Sequence, residues 1–371
     1  MLTSRPTGSA MPGLVLSKLS AAVAAIVGVV ISAVGVGVAG RYLTKTGFTA
    51  ISALGLAGLL TGLALLGLSW MVFWRASRGW QRLWFVPTVL IAVPCMFSIA
   101  VGAMLAYSPR TNLGVAKPDL NGMTFRDLSF RTADGVLLSA WYVESSNHAA
   151  VVTVPGSGSN RMATLGQATV LARHGYGVLM LDPRGQGHSG GAAMDAGWYG
   201  ELDVSAAVEF LRQTPGVDPA RIGVLGLSMG AEEAIGATAV QPRIRAVVAE
   251  GATHRTAQDK AGYLPGGLPG ALQRGLDRLT YGTAALLSDA PYPRSLHNAI
   301  AVAHATEFLL IAAGNVADEP TAAAYLRGAA PDRVQIWTVP EASHVHALAQ
   351  APAEWTARVT GFFDRTLNVT G

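Results

Sequence analysis

Arg221-Ile-Gly-Val-Leu-Gly-Leu-Ser-Met-Gly-Ala-Glu-Glu233 passes from a strand to a helix across a single serine. Ile222, Val224 and Leu225 are strand formers. Ala231 to Val240 has helical character and follows at once. A serine between them, flanked by Gly226 and Gly230, is the pattern of a nucleophile elbow: a sharp, strained turn that lifts a hydroxyl above a sheet edge. Glycine is needed on both sides because a Cβ there would collide with the backbone folding over it. The helix start then places an amide, that of Met229, beneath any negative charge developing on a substrate oxygen. A second G-x-S-x-G match, Gly187-His-Ser189-Gly-Gly191, lies in a glycine-rich loop with no helix directly after it. It reads as loop, which leaves Ser228 as the candidate nucleophile.

Around this elbow, short apolar runs alternate with helical patterns. The runs are Met123–Arg131, Val136–Val143, Ala149–Val154, Tyr176–Leu181, Arg221–Leu225, Ile244–Ala249, Glu307–Ala312 and Arg333–Val339. The helical patterns are Arg161–His174, Glu201–Thr214, Ala231–Val240, Thr321–Ala329 and Ala353–Leu367. Such alternation predicts a mostly parallel eight-stranded sheet with helices on both faces. Residues 252–304, with Gly262-Tyr-Leu-Pro-Gly-Gly-Leu-Pro-Gly270, interrupt the rhythm and predict an inserted lid.

The first third is a different material. Of the 371 residues, 50% are hydrophobic and 13% charged, and no acid precedes Asp119. Leu19–Gly40, Phe48–Trp74 and Leu83–Tyr107 are long apolar runs, each sufficient to cross about 30 Å of hydrocarbon as helix. Arg41 and Lys45 mark one connecting loop; Arg75, Arg78 and Arg82, with Trp70, Trp74, Trp80 and Trp84, mark the next. Basic and aromatic residues collect in this way at bilayer surfaces. Residues 1–13 read as disordered, 14–107 as three transmembrane helices, 108–118 as a linker and 119–371 as the α/β domain. The positive charge belongs to the membrane segment and does not point to nucleic acid; the partner it implies is the bilayer. With three spans, five basic groups on the N-terminal side face four on the other, which favours the N-terminus inside and the large domain outside. Cys95 is the single cysteine, so no intramolecular disulfide can form.

Three motifs in order carry a family resemblance: Val154-Pro-Gly-Ser-Gly-Ser159, Leu181-Asp-Pro-Arg-Gly-Gln-Gly-His-Ser189 and Gly226-Leu-Ser-Met-Gly230. Residues 120–370 thereby resemble the α/β-hydrolase superfamily, and within it the serine aminopeptidase and acyl-ester hydrolase group, also described as dipeptidyl aminopeptidase- or lysophospholipase-like. The loop after the third strand opens Pro155-Gly156 where the group has His-Gly, but the donor required is a backbone N–H, so Ser157 and Met229 remain the expected oxyanion hole. The resemblance implies a triad in the order serine, acid, histidine. Asp318 is the expected acid, with Glu319 and Glu250 as rivals; His344 is the expected base, with His346 as the alternative. His344 and His346 could be mistaken for a metal pair, but no third ligand motif accompanies them, and no metal or cofactor is expected. Asp182 and Arg184 are expected to hold their loop rather than to react. Glu232 and Glu233 stabilise a helix start in one reading and bind a substrate amine in the other.

The implied activity is hydrolysis of a small-molecule or lipid-derived acyl ester, or an amide, through an acyl-serine. Acyl transfer by the same intermediate and a non-catalytic membrane receptor or scaffold are the alternatives.

Overall fold

The computed structural model describes residues 10–114 and 124–369. Residues 1–9, most of the segment expected to be disordered, and 115–118 of the expected linker lie outside the described residues. Two compact units are formed. One runs up to Met104 and takes in Gly275–Leu287; the other comprises residues from Leu105 to Arg274 and from Ser288 onwards.

The first unit holds three long helices, α1 (Ala10–Thr46), α2 (Ala50–Ala76) and α3 (Phe85–Ala106), with a 3₁₀ turn at Gly79–Trp84 before the third. Each is long and apolar enough to cross a membrane. α2 buries one narrow seam of small residues, Ser52, Gly55, Gly62, Ser69 and Ala76. A Cβ at Gly62 would lie 2.7 Å from Cβ of Ser32 on α1, and the Ser69 hydroxyl donates to Ala21 O across the pair at 2.7 Å. Small residues and interhelical hydrogen bonds hold helices together where the surroundings are as apolar as the side chains. The leucines of α2 point outward instead, with Leu54 73% and Leu60 67% exposed. Pro94 sits inside α3, while Pro87 falls in its first turn, where its missing N–H removes no intrahelical bond. Near the second connection Trp70 packs on Trp74 and Phe85, and Arg82 lies over the Trp74 ring.

The second unit is built on one sheet of eight strands: β1 (Arg126–Arg131), β2 (Leu137–Val143), β3 (Ala150–Val154), β4 (Gly177–Asp182), β5 (Ile222–Leu227), β6 (Ala246–Glu250), β7 (Glu307–Ala313) and β8 (Val334–Val339). Their spatial order is β1-β2-β4-β3-β5-β6-β7-β8. β2 runs antiparallel to both neighbours, and every pairing from β4 to β8 is parallel. β3 to β6 are buried on both faces, which is why they read as unbroken apolar runs.

The helices that follow the strands in the chain are α4 (Leu165–Arg173), α5 (Gly200–Arg212), α6 (Met229–Ala237), α7 (Ala257–Tyr263), α8 (Gly267–Leu287, residues 275–287 of which belong to the first unit), α9 (Leu296–Val302), α10 (Asp318–Arg327), α11 (Ala347–Gln350) and α12 (Pro352–Thr366). One apolar core gathers α5, α6, α9 and α10 on one face; another gathers α4 and α12 on the other. α12 shows the sequence cause plainly: Trp355, Val359, Phe362 and Phe363 share one helical stripe and are buried, behind a proline in the first turn. The segment between β6 and β7, expected as an insertion, contains α7, α8 and α9.

The expected linker is not slack where it is described. Ser108 forms a β-bridge with Ala193, and Arg110 Nη1 donates to the carbonyls of Gly187 (2.9 Å) and Ser189 (2.6 Å). Thr111 Oγ1 donates to Gly158 O at 2.6 Å. Backbone carbonyls of two glycine-rich loops need donors, and this segment supplies them.

Candidate active site

β5 ends at Leu227 and α6 begins at Met229, so Ser228 alone makes the turn, with φ 54° and ψ −123°. A non-glycine residue held there costs about 1–3 kcal/mol and persists only where its surroundings enforce it. The enforcement is visible: Ser228 N donates to Glu250 O on β6 at 2.8 Å, and a Cβ on Gly226 would run into Gly230 O. Gly230 in turn lies against the carbonyls of Val154 and Pro155. The glycines of the motif are therefore close-approach positions, as the sequence predicts.

His344 lies in the loop after β8. Its Nε2 is 2.8 Å from Ser228 Oγ, and its Nδ1 is 2.6 Å from Glu319 Oε1. With the proton on Nδ1, the imidazole donates to Glu319 and accepts from the serine hydroxyl. Glu319 is 1% exposed, and its other oxygen accepts from Ala313 N at the end of β7 at 2.7 Å. The hydrogen bond to Glu319 raises the His344 pKa above its ordinary value, against the opposing effect of burial.

The expected acid, Asp318, is not the one at the imidazole; it is exposed, and Glu319 takes the place. Both residues occupy the first turn of α10. Neighbours on a helix point about 100° apart, so only one can face the sheet. Glu250 is otherwise engaged: it accepts from Ala347 N at 2.9 Å and Trp355 Nε1 at 3.1 Å, tying the histidine loop to α12. His346 is turned to its own loop, with Nδ1 2.6 Å from His344 O, and does not converge with the His344 ring.

The loop after β3 passes close to the serine, a Cβ on Gly156 falling 3.2 Å from Ser228 Cβ. Ser157 is the next residue of that loop and is exposed, and Met229 opens α6, where first-turn amides have no intrahelical acceptor.

The loop 182–191 is held as expected. Asp182 is fully buried and accepts from Arg161 Nη2 (2.7 Å), Arg161 N (2.8 Å) and His188 N (2.8 Å). Arg184 bridges Asp203 and Asp134. Ser189, the serine of the second motif, is buried, donating to Asp182 O and accepting from Ser139 N. Arg161, Arg110 and Thr111 carry no motif, so pattern alone could not reveal them.

The amine-binding reading of Glu232 and Glu233 meets a difficulty. Both are buried. Glu232 Oε1 accepts from Thr253 N (3.1 Å) and His254 N (3.0 Å), and burial pushes its carboxyl up to about 7. Glu233 is also raised well above the usual carboxylate range, by burial first and then by Asp203 and Glu201, and packs on Gly197 and Gly200. They serve the loop and the helix packing instead.

A sheet of this order, with serine, histidine and acid carried on the carboxyl ends of β5, β8 and β7, defines the α/β-hydrolase class. Within that class the chain belongs to the X-Pro dipeptidyl-peptidase (S15) family, which it matches over residues 106–369. It is 34% identical over 134 residues to the thiohydrolase aneE of Aspergillus aculeatus, covering 34% of this chain and 41% of that one. It is 34% identical over 132 residues to the polyketide transferase ATR5 of Stachybotrys chlorohalonatus, covering 34% and 44%. These curated relatives are thus matched over less than half their length. The Pyrococcus furiosus esterase Pf2001 superposes with a TM-score of 0.56 at 26% identity, covering 71% of this chain and 98% of that one. The family is one of hydrolases.

Proposed function

We propose that the protein is a membrane-anchored serine hydrolase that cleaves acyl esters or thioesters through an acyl-Ser228 intermediate. The carrying observation is the bridge made by His344, 2.8 Å from Ser228 Oγ on one side and 2.6 Å from Glu319 on the other. In this mechanism Ser228 Oγ attacks the acyl carbonyl as its proton moves to His344 Nε2. The amides of Met229 and Ser157 stabilise the tetrahedral oxyanion. The imidazolium returns the proton to the leaving alcohol or thiol, and the acyl-enzyme forms. Water, deprotonated by the same imidazole, then releases the acid. Glu319 fixes the tautomer and stabilises the imidazolium without taking the proton.

An ester or thioester is favoured over a peptide because Glu232 and Glu233, the carboxylates nearest the elbow in sequence, are buried and have other roles. Similarity to a thiohydrolase and an esterase points the same way. Similarity to a polyketide transferase supports a second reading, in which an alcohol replaces water as acceptor. The three apolar helices would cross the bilayer, with the hydrolase unit outside by the balance of basic residues.

The test uses the full chain in detergent. Fluorophosphonate should label it and fail to label Ser228→Ala. p-Nitrophenyl esters and acyl thioesters of graded length should outrun an X-Pro anilide. Product analysis with added glycerol separates transfer from hydrolysis. Absence of labelling in a folded sample would favour the scaffold.

A further inference from the structure

The His344 ring has a third neighbour besides Glu319 at Nδ1 and Ser228 at Nε2. Two hydrogen bonds leave a ring able to tilt about the line joining its nitrogens, and 47% of this side chain is open to solvent. Backbone stops the tilt. A Cβ built on Gly251, φ 74°, would lie 2.9 Å from His344 Cε1 and 3.0 Å from Val345 Cγ1. Val345 is β-branched and held at φ 52°, a conformation that persists only where neighbours enforce it. The histidine and the strained residue after it thus lean on one glycine.

That glycine is tied down on both sides. Just before it, Glu250 O accepts from Ser228 N at 2.8 Å, and Gly251 N itself donates to Ile311 O on β7 at 2.9 Å. Just after it, Thr253 N and His254 N both donate to Glu232 Oε1, at 3.1 and 3.0 Å. Glu232 stands in the first turn of α6, the helix that begins directly after the nucleophile. Two adjacent amides that share one carboxyl oxygen cannot shift independently of the helix that carries it. The contacts therefore close a circuit: Ser228, the first turn of α6, Glu232, the 251–254 loop, His344 and back to Ser228 Oγ.

We infer that Glu232 is a positioning residue for catalysis: through Thr253 and His254 it sets the place of Gly251, and Gly251 sets the tilt of the imidazole over Ser228. The inference rests on the proposed serine-hydrolase mechanism and adds to it a side chain that touches neither substrate nor the reacting atoms.

The experiment uses the full chain in detergent. Active sites are counted by fluorophosphonate labelling run to completion, so that kcat is expressed per competent site. Rates on p-nitrophenyl butyrate are compared on the alkaline plateau, where His344 is neutral in every variant. Glu232→Ala should lower kcat per site by about ten- to hundred-fold with KM within about two-fold, since a small displacement of a catalytic group is felt in the transition state. Glu232→Gln keeps an acceptor in place without the charge and should stay within about three-fold of the parent. Glu232→Asp keeps the charge but draws the acceptor back by one methylene; it should lose about three- to ten-fold, and it decides the matter if Glu232→Ala does not fold. Gly251→Ala, which pushes the ring directly, should lose at least as much as Glu232→Asp. Fewer labelled sites with unchanged kcat per site in the Glu232→Ala and Glu232→Asp variants would make the role purely structural and overturn the inference. A loss in Glu232→Gln as large as in Glu232→Ala would also overturn it, assigning the effect to charge. A folded parent that takes no label would remove the hydrolase mechanism itself, and this inference with it.

Discussion

Glu319 reaches His344 Nδ1 at 2.6 Å, while Asp318, one residue earlier, faces solvent. An aspartate would be the ordinary choice, but α10 begins at Asp318, so the turn that starts there carries the second acid inward. Glu319→Ala should lower kcat/KM for the best ester by about 10³-fold or more, leaving the residual activity of the oxyanion hole. Asp318→Asn should stay within about two-fold of the parent, since its side chain is not at the imidazole. Equal losses in both variants, measured by steady-state kinetics, would contradict this assignment.

The same contact sets a pH profile. His344 must be neutral to accept the serine proton, and Glu319 raises its pKa above the ordinary imidazole value of 6.5. Activity should therefore fall with acid along a limb centred above that value. In Glu319→Gln the limb should move to lower pH, with a reduced plateau. The stabilising contribution of this contact has the matching sign: it is full below the unfolded imidazole pKa and is lost as pH rises through the folded one.

Asp182 and Arg161 form a pair with no side-chain exposure at 2.7 Å. Removing one partner strands the other charge in the interior, so Asp182→Ala should destabilise by about 3–5 kcal/mol. A thermal-shift assay in detergent should register a drop of roughly 10 °C. A drop within error would mean that water reaches the site.

Thr111 Oγ1 holds Gly158 O at 2.6 Å, in the loop that passes the nucleophile. Thr111→Val should cost about 1 kcal/mol of stability. Its larger effect should be on kcat, by about ten-fold, because a small displacement of the oxyanion donor is felt in the transition state. A KM change with unaltered kcat would show that the brace positions substrate rather than the donor.

Glu232 carries a pKa pushed by burial from 4.5 to about 7, next to the amides of Thr253 and His254. A raised acid binds its proton more tightly when folded, so its contribution is full below about 4.5 and is lost as pH climbs through about 7. Glu232→Gln should flatten the fall in melting temperature across that window, as a thermal-shift series from acid to neutral pH would reveal. An unchanged slope would assign the pH dependence elsewhere.

Much of this molecule follows from local pattern. The eight runs of strand character, the glycines around Ser228 and the three long apolar helices are written in residue type and spacing, because backbone sterics and hydrophobic periodicity act over a few residues. Ser228 could be proposed for that reason, and His344 as what the family resemblance of the surrounding motifs implied. Glu319 could not be chosen over Asp318, since which of two adjacent acids faces the sheet depends on where α10 starts and how it lies on β7. Arg161, Arg110 and Thr111 answer carbonyls and a carboxylate from distant parts of the chain. Those choices belong to long-range packing, where burial and hydrogen-bond demand select among residues that local sequence leaves equivalent.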